Sequence, residues 1–152
     1  MSKSIPRRAD YRHFQDIPTR WGDQDSYGHI NNAAYYFYFD TLVALFLAGR
    51  GLQPAPADPG SSLAVVVETM CRFHSPAYFP DVLAGGLRVA RIGRSSVRYE
   101  IGLFRAGEEL ACAEGHFVHV QVDAATQRQT VPVPQALRDA LAALLVPEAE
   151  AG

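Results

Sequence analysis

RWGDQDSYGHINNAAYYFYFDTLVALFLAGR, residues 20–50, joins a polar, glycine-bearing turn to an unbroken apolar run. Asp23, Asp25, His29, Asn31 and Asn32 crowd the turn, and Tyr35, Phe37, Phe39, Leu42, Val43, Leu45 and Phe46 follow it. No glycine or proline interrupts residues 31–48, a span too long for an ordinary strand and suited to a helix of about 27 Å at ~1.5 Å per residue. Its apolar side chains fall on nearly every side, with Asp40 and Thr41 the main polar exceptions, and such a helix is normally enclosed by the rest of the fold. Gly49 and Gly51 supply the stop signal.

On either side of this segment the pattern changes. Before it, residues 13–20 read as a strand that Pro18 confines to an edge or cuts short. After it, residues 53–62 are rich in Pro, Ala, Gly and Ser and read as a flexible loop. Strands are then expected at 63–73, 82–92, 94–104 and 109–122. In the third of these Val97, Tyr99, Ile101 and Leu103 face one way and Arg98, Glu100 and Gly102 the other, the mark of a sheet with one covered face. Ala106 and Gly107 are read as a hairpin turn, and residues 135–145 as a short amphipathic helix. The order predicts an α+β domain in which an antiparallel sheet of about five strands is wrapped around one long buried helix. Residues 1–11 read as a loose arm, 12–146 as the single domain and 147–152 as a tail.

The totals narrow the function. A chain of 152 residues fills one domain of ordinary size, and its net charge of −2 removes the broad electrostatic case for nucleic acid. No run approaches a membrane span and no secretory leader is visible, so a cytoplasmic protein with no membrane partner is expected. Cys71 and Cys112 lack metal-ligand spacing and read as reduced, buried thiols. Serine hydrolase, nucleotide-binding and zincin motifs are absent, and His116 and His119, three apart in a strand, point to opposite faces.

The turn is the informative site. A helix N-terminus offers unpaired N–H groups and the positive end of the dipole, which suit an anion or a carbonyl oxygen gaining negative charge. A carboxylate beside it can act as nucleophile or as general base for water. The same Asp and Asn residues also cap helices and shape turns, and composition alone leaves both readings open. Two neighbouring buried anions repel, so Asp23 and Asp25 need different fates.

GDQDSYGHINNAAYYFYFD resembles the signature of hotdog-fold acyl thioesterases of the 4-hydroxybenzoyl-CoA thioesterase type, and its HINN portion is similar to acyl-ACP thioesterases. RIGRSSVRYEI, a strand ending in HVQVD, and TQRQTVPVP before a short helix continue the likeness over about residues 12–145. The resemblance implies a hotdog fold and hydrolysis of an acyl thioester, acyl-CoA or acyl-ACP, without metal or redox cofactor. It implies Asp25 as the reactive carboxylate with Asp23 in support, and the backbone N–H of Asn32 as donor to the thioester carbonyl. His29 and Asn31 become helpers, Tyr27 and Gly28 substrate contacts, and Arg94 with Ser95 neighbours of the coenzyme A phosphates. It also implies a homodimer or homotetramer with each site at a subunit interface.

Other readings stand beside these. Arg88, Arg91, Arg94 and Arg98 also fit a solvated face, His29 a turn residue bonded to a backbone carbonyl, and Glu68 either an acyl pocket or a polar edge position. Asp40 fits a capped or paired residue. A non-catalytic acyl-CoA binding or sensing domain on the same fold is the alternative function, since fold alone does not give activity, and a hotdog dehydratase is a third.

Overall fold

The structure, a computed structural model, describes residues 4–52 and 60–146. The tail at 147–152, the first three residues of the arm and most of the loop read at 53–62 lie outside the described residues. In chain order come β1 (His13–Pro18), α1 (Asn32–Ala48), β2 (Ser62–Phe73), β3 (Val82–Ile92), β4 (Ser96–Phe104), β5 (Ala113–Asp123) and α2 (Gln135–Ala142). The strands form one sheet in the order β1-β3-β4-β5-β2, every pair antiparallel. No helix among the described residues is long and apolar enough to cross a membrane.

β1 and β2 are the two edges, and α1 carries the chain from one to the other. Its 17 residues span about 25 Å at ~1.5 Å each, enough to cross five strands spaced about 4.8 Å apart. The crossing is visible in two ring contacts: Tyr35 meets Phe73 of β2 at 5.0 Å, and Phe46 meets His13 of β1 at 5.0 Å. Between them Phe39 presses on β5 so closely that a Cβ on Gly115 would sit 2.7 Å from its ring. Glycine is required there because the added Cβ would collide first with the Met70 backbone carbonyl of β2 and then with Phe39. The alternation expected in β4 holds, with Val97, Tyr99, Ile101 and Leu103 buried.

α1 is covered on one side only, which differs from the full enclosure that its composition predicts. Tyr35, Tyr38, Phe39, Leu42, Val43 and Phe46 are buried against the sheet, while Ala33, Phe37, Thr41, Ala44, Leu45 and Ala48 face outward and Phe37 is 67% exposed. One sheet shields one face of a helix, so the apolar outer stripe stays uncovered within a single chain.

The arm is not loose where it is described. Arg8–Asp10 forms a 3-10 turn, Ala111 N–H donates to the Pro6 carbonyl at 3.0 Å, and the Arg8 guanidinium donates to the carbonyls of Glu108 and Arg105. Tyr11 is buried on the face of the sheet away from α1, in space that Gly86 and Gly102 leave open; a Cβ on either would come within 2.8 Å of its ring. The same contacts lengthen the β4–β5 connection. Gly107 turns at φ 76°, as expected, but Ala111 is held by the arm and β5 starts only at Ala113.

Candidate active site

The turn between β1 and α1 separates the two aspartates as charge repulsion requires. Asp23 is 5% exposed and fully engaged: its Oδ1 accepts from the Arg20 guanidinium at 3.1 and 3.0 Å, and its Oδ2 accepts from Arg20 N–H at 2.9 Å and from the Tyr38 hydroxyl at 2.6 Å. Burial pushes its pKa up, but the hydrogen bonds from Tyr38 and Arg20 outweigh that and hold the carboxyl below the usual range. The Asp23 carbonyl also receives Asn31 N–H at 2.7 Å, which fixes where the helix begins.

Asp25 is half-buried and differently placed. Its Oδ1 accepts the N–H groups of Tyr27 and His29 at 2.9 and 3.1 Å, closing the turn, and its Oδ2 has no hydrogen-bond partner among the described residues. Gly28 makes the bend at φ 78°, and a Cβ there would meet nothing within 4 Å, so its role is conformational freedom. Ile30 N–H to the Ala77 carbonyl, 2.9 Å, pins the turn to the loop after β2.

At the helix start Asn31 is the N-cap. Its side chain accepts Ala33 N–H at 2.9 Å, and its carbonyl accepts Ala34 N–H at 2.9 Å. The Asn32 N–H has no acceptor among the described residues, although those of its neighbours do. Asn31 therefore spends its side chain on capping, and the free donor is the backbone of Asn32.

The remaining expected residues divide. Among the described residues the His29 ring bonds no carbonyl; it stands edge-on to Tyr78 at 5.4 Å and beside Tyr27 at 6.4 Å. Tyr27 is 83% and Trp21 76% exposed, so the mouth of the turn carries uncovered aromatic surface. Arg94 and Ser95 lie in the β3–β4 turn, where their carbonyls accept from Val133 and Gln121 N–H at 2.8 and 2.7 Å. That turn is at the opposite end of the sheet. β3 begins beside Pro18 and Thr19, next to the aspartate turn, and its 11 residues at ~3.3 Å each put Arg94 some 35 Å away.

Asp40 is on the exposed face of α1. Glu68 bonds His116 at 2.8 Å on the sheet face away from the helix, which excludes it from an acyl pocket on the helix side of its own chain. Burial pushes the Cys71 thiol up to about 12 and that of Cys112 up to about 11, which removes both as nucleophiles. No group of three His, Cys, Asp or Glu among the described residues is arranged to hold a metal ion. One residue went unread in the sequence, and another was read there only for its strand face. Tyr38 is seven positions beyond Asn31 and so on the same helix face, a signal that periodicity offers. His119 stacks on Phe117 at 4.7 Å and Tyr99 at 5.2 Å with a buried, unpartnered Nε2, and only the cross-strand register reveals it.

A five-stranded antiparallel sheet packed against one long helix matches hotdog thioesterase structures. The chain belongs to the thioesterase-like superfamily, which residues 19–141 match. Among solved structures it is similar to the PA5185 protein of Pseudomonas aeruginosa strain PAO1, at 48% identity over 93% of this chain and 97% of that one, TM-score 0.87. The PA2801 protein of Pseudomonas aeruginosa is 30% identical over 86% and 98% of the two chains, TM-score 0.75. The BH1999 gentisyl-coenzyme A thioesterase shares the fold at 24% identity over 84% and 98%, TM-score 0.71. No curated protein matches the chain.

Proposed function

We propose that this protein hydrolyses an acyl thioester of coenzyme A to a carboxylic acid and a free thiol. The observation that carries the reading is the pairing of one uncommitted carboxylate oxygen, Asp25 Oδ2, with one uncommitted helix-start donor, Asn32 N–H, on the same short turn. The thioester carbonyl takes the Asn32 N–H, where the helix dipole favours the negative charge that develops on oxygen. Asp25 either attacks the carbonyl carbon, the thiolate leaving and water then hydrolysing the mixed anhydride to the acid and free Asp25, or takes a proton from the attacking water, and collapse of the tetrahedral intermediate expels the thiolate. Asp23 and Tyr38 hold the geometry, and His29 with Tyr27 and Tyr78 flanks the entry. Membership of the thioesterase-like superfamily and the coenzyme A thioesterase named among its fold neighbours support this substrate class.

The working unit is a homodimer paired through the β2 edge. Among the described residues β2 has no strand partner on its outer side, its Val66 and Val67 are 50% and 59% exposed, and antiparallel pairing about a two-fold axis reverses the partner sheet. That reversal brings the far end of one sheet, with Arg94 and Ser95, toward the aspartate turn of the other, which accounts for the ~35 Å separation within one chain at ~3.3 Å per residue. Arg94 then meets the coenzyme A phosphates.

Release of free thiol from a panel of acyl-CoAs, compared between the native protein and Asp25→Asn, tests the assignment. Thermal stabilisation by coenzyme A without thiol release from any member of the panel would overturn hydrolysis in favour of a binding domain.

A further inference from the structure

The turn that carries Asp25 is fastened to a neighbouring loop, residues 74–81 between β2 and β3. Most of its own bonds are internal: Asp25 N–H donates to the His29 carbonyl at 2.8 Å, Gly28 N–H to the Asp25 carbonyl at 3.1 Å, and the Tyr27 and His29 N–H groups to Asp25 Oδ1. Among the described residues, the backbone bond that joins residues 24–30 to a distant part of the chain is Ile30 N–H to the buried Ala77, 2.9 Å. Ile30 stands between His29, which closes the Asp25 turn, and Asn31, which caps α1. The placement of the Ala77 carbonyl therefore reaches both Asp25 and the Asn32 N–H.

Two charged side chains set that loop. Asp81 Oδ2 accepts Tyr78 N–H at 3.1 Å and Arg105 Nε–H at 2.8 Å, and Asp81 N–H returns to the Tyr78 carbonyl at 2.8 Å, which closes residues 78–81 into a turn. Arg105 also lies over the Tyr78 ring, 5.0 Å from its centroid, and the same ring meets His29 edge-on at 5.4 Å. Arg105 is itself anchored, since its carbonyl accepts from the Arg8 guanidinium at 2.9 Å and from Glu108 N–H at 3.1 Å. Burial pushes the Asp81 pKa up, but the bonds from Arg105 and Tyr78 outweigh that and hold it below the usual range, so the pair is ionised at neutral pH.

We propose that Asp81 and Arg105 are positioning residues of the thioester site: by locking residues 78–81 they fix the Ala77 carbonyl and the Tyr78 ring, and through these Ile30 N–H and His29. This rests on the hydrolytic reading of that site. Magnitudes separate the role from general stability. The two side chains are 23% and 31% exposed, and an ion pair with that access to water adds little to global stability. A catalytic group displaced by about 1 Å, in contrast, can cost roughly 10² in rate. Loss of the pair should be felt in the turn and in kcat while the sheet stays intact.

Amide hydrogen exchange followed by NMR, together with acyl-CoA turnover, tests this in Arg105→Gln, Asp81→Asn, Arg105→Lys and Glu108→Gln. In the first two, exchange at Ile30 should quicken roughly tenfold by local opening, with the β4 amides unchanged. Their kcat per folded molecule should fall roughly tenfold at unchanged KM. Arg105→Lys keeps the charge and should restore most of both. Glu108→Gln removes only the looser 3.7 Å partner of Arg105 and should alter neither. Native exchange at Ile30 in both Arg105→Gln and Asp81→Asn, full turnover despite faster exchange, faster exchange across β4 as well, or an equal loss in Glu108→Gln overturns the proposal. If the native protein releases no thiol, the hydrolytic reading fails by itself; faster exchange confined to the turn then still supports its positioning by this pair, and unchanged exchange overturns it.

Discussion

The Tyr38 hydroxyl donates to Asp23 Oδ2 at 2.6 Å, so the second turn of α1 is tied to the segment that sets up the turn carrying Asp25. Asp23 in turn accepts Asn31 N–H on its carbonyl, and Asn31 caps the helix. The bond therefore links the buried face of the helix to the position of its first free amide. Tyr38→Phe should destabilise the fold by about 1–3 kcal/mol, because it leaves a buried carboxylate short of a donor. The Asp23 pKa is held down in the folded state, so its contribution is present above the unfolded value and fades as pH falls. Chemical denaturation of the variant should show a smaller difference from native at acid pH than at neutral pH.

Asp25→Asn and Asp25→Ala should differ in stability and agree in activity. Asparagine keeps an Oδ1 acceptor for the Tyr27 and His29 N–H groups, and alanine removes it. Turnover should drop roughly 10²–10⁴-fold in both, whereas only the alanine variant should lose melting temperature. Retained turnover in the asparagine variant would place the reactive group elsewhere.

Asn32→Pro is a direct probe of the backbone donor. Proline is accommodated at the first helical position, and Asn31 already has the extended φ −61°, ψ 139° that a following proline requires. The variant should fold with α1 intact by circular dichroism yet lose about 10²–10³ in kcat. Asn32→Ala keeps the N–H and should retain most activity.

His119 predicts an acid limb in the stability profile. Burial lowers its pKa to about 4 from 6.5, so below pH 6.5 the unfolded chain takes up a proton that the folded chain refuses. Stability is unaffected above that value and falls between the two, by on the order of 3 kcal/mol. His119→Phe should flatten this limb in denaturation curves recorded from pH 7 to pH 4.

Val67→Lys tests the proposed pairing at the β2 edge. A lysine on an edge strand discourages strand addition, and Val67 is the extra residue at the irregularity between Val66 and Glu68. Light scattering should report a shift toward monomer, with thioesterase turnover falling alongside it; a monomeric variant with full turnover would show that each site is complete within one chain.

The arrangement of one antiparallel sheet on one long helix was legible because its elements carry unambiguous periods. The run at 31–48 has no breaker, β4 alternates cleanly, and Pro18 marks an edge strand, so local chemistry dictates these elements. The one-sided cover of α1 was not legible, since hydrophobicity records that a surface avoids water and not which body covers it. The anchoring of the N-terminal segment was hidden for a related reason: it rests on carbonyls of residues 105 and 108 and on the glycine space under Tyr11, none of which leaves a periodic trace.

By itself the sequence determined a long apolar helix, a polar turn before it, and an antiparallel sheet, because helix and strand periods and turn residues act over a few neighbours. Only the tertiary structure decided that Asp23 is spent on Arg20 and Tyr38 and that, among the described residues, Asp25 Oδ2 has no hydrogen-bond partner and Asn32 N–H no acceptor. It also decided that Arg94 stands at the far end of the sheet from them. Hydrogen-bond partners and distances between ends of a fold depend on how elements pack, and two aspartates one residue apart look alike until that packing gives each its neighbours.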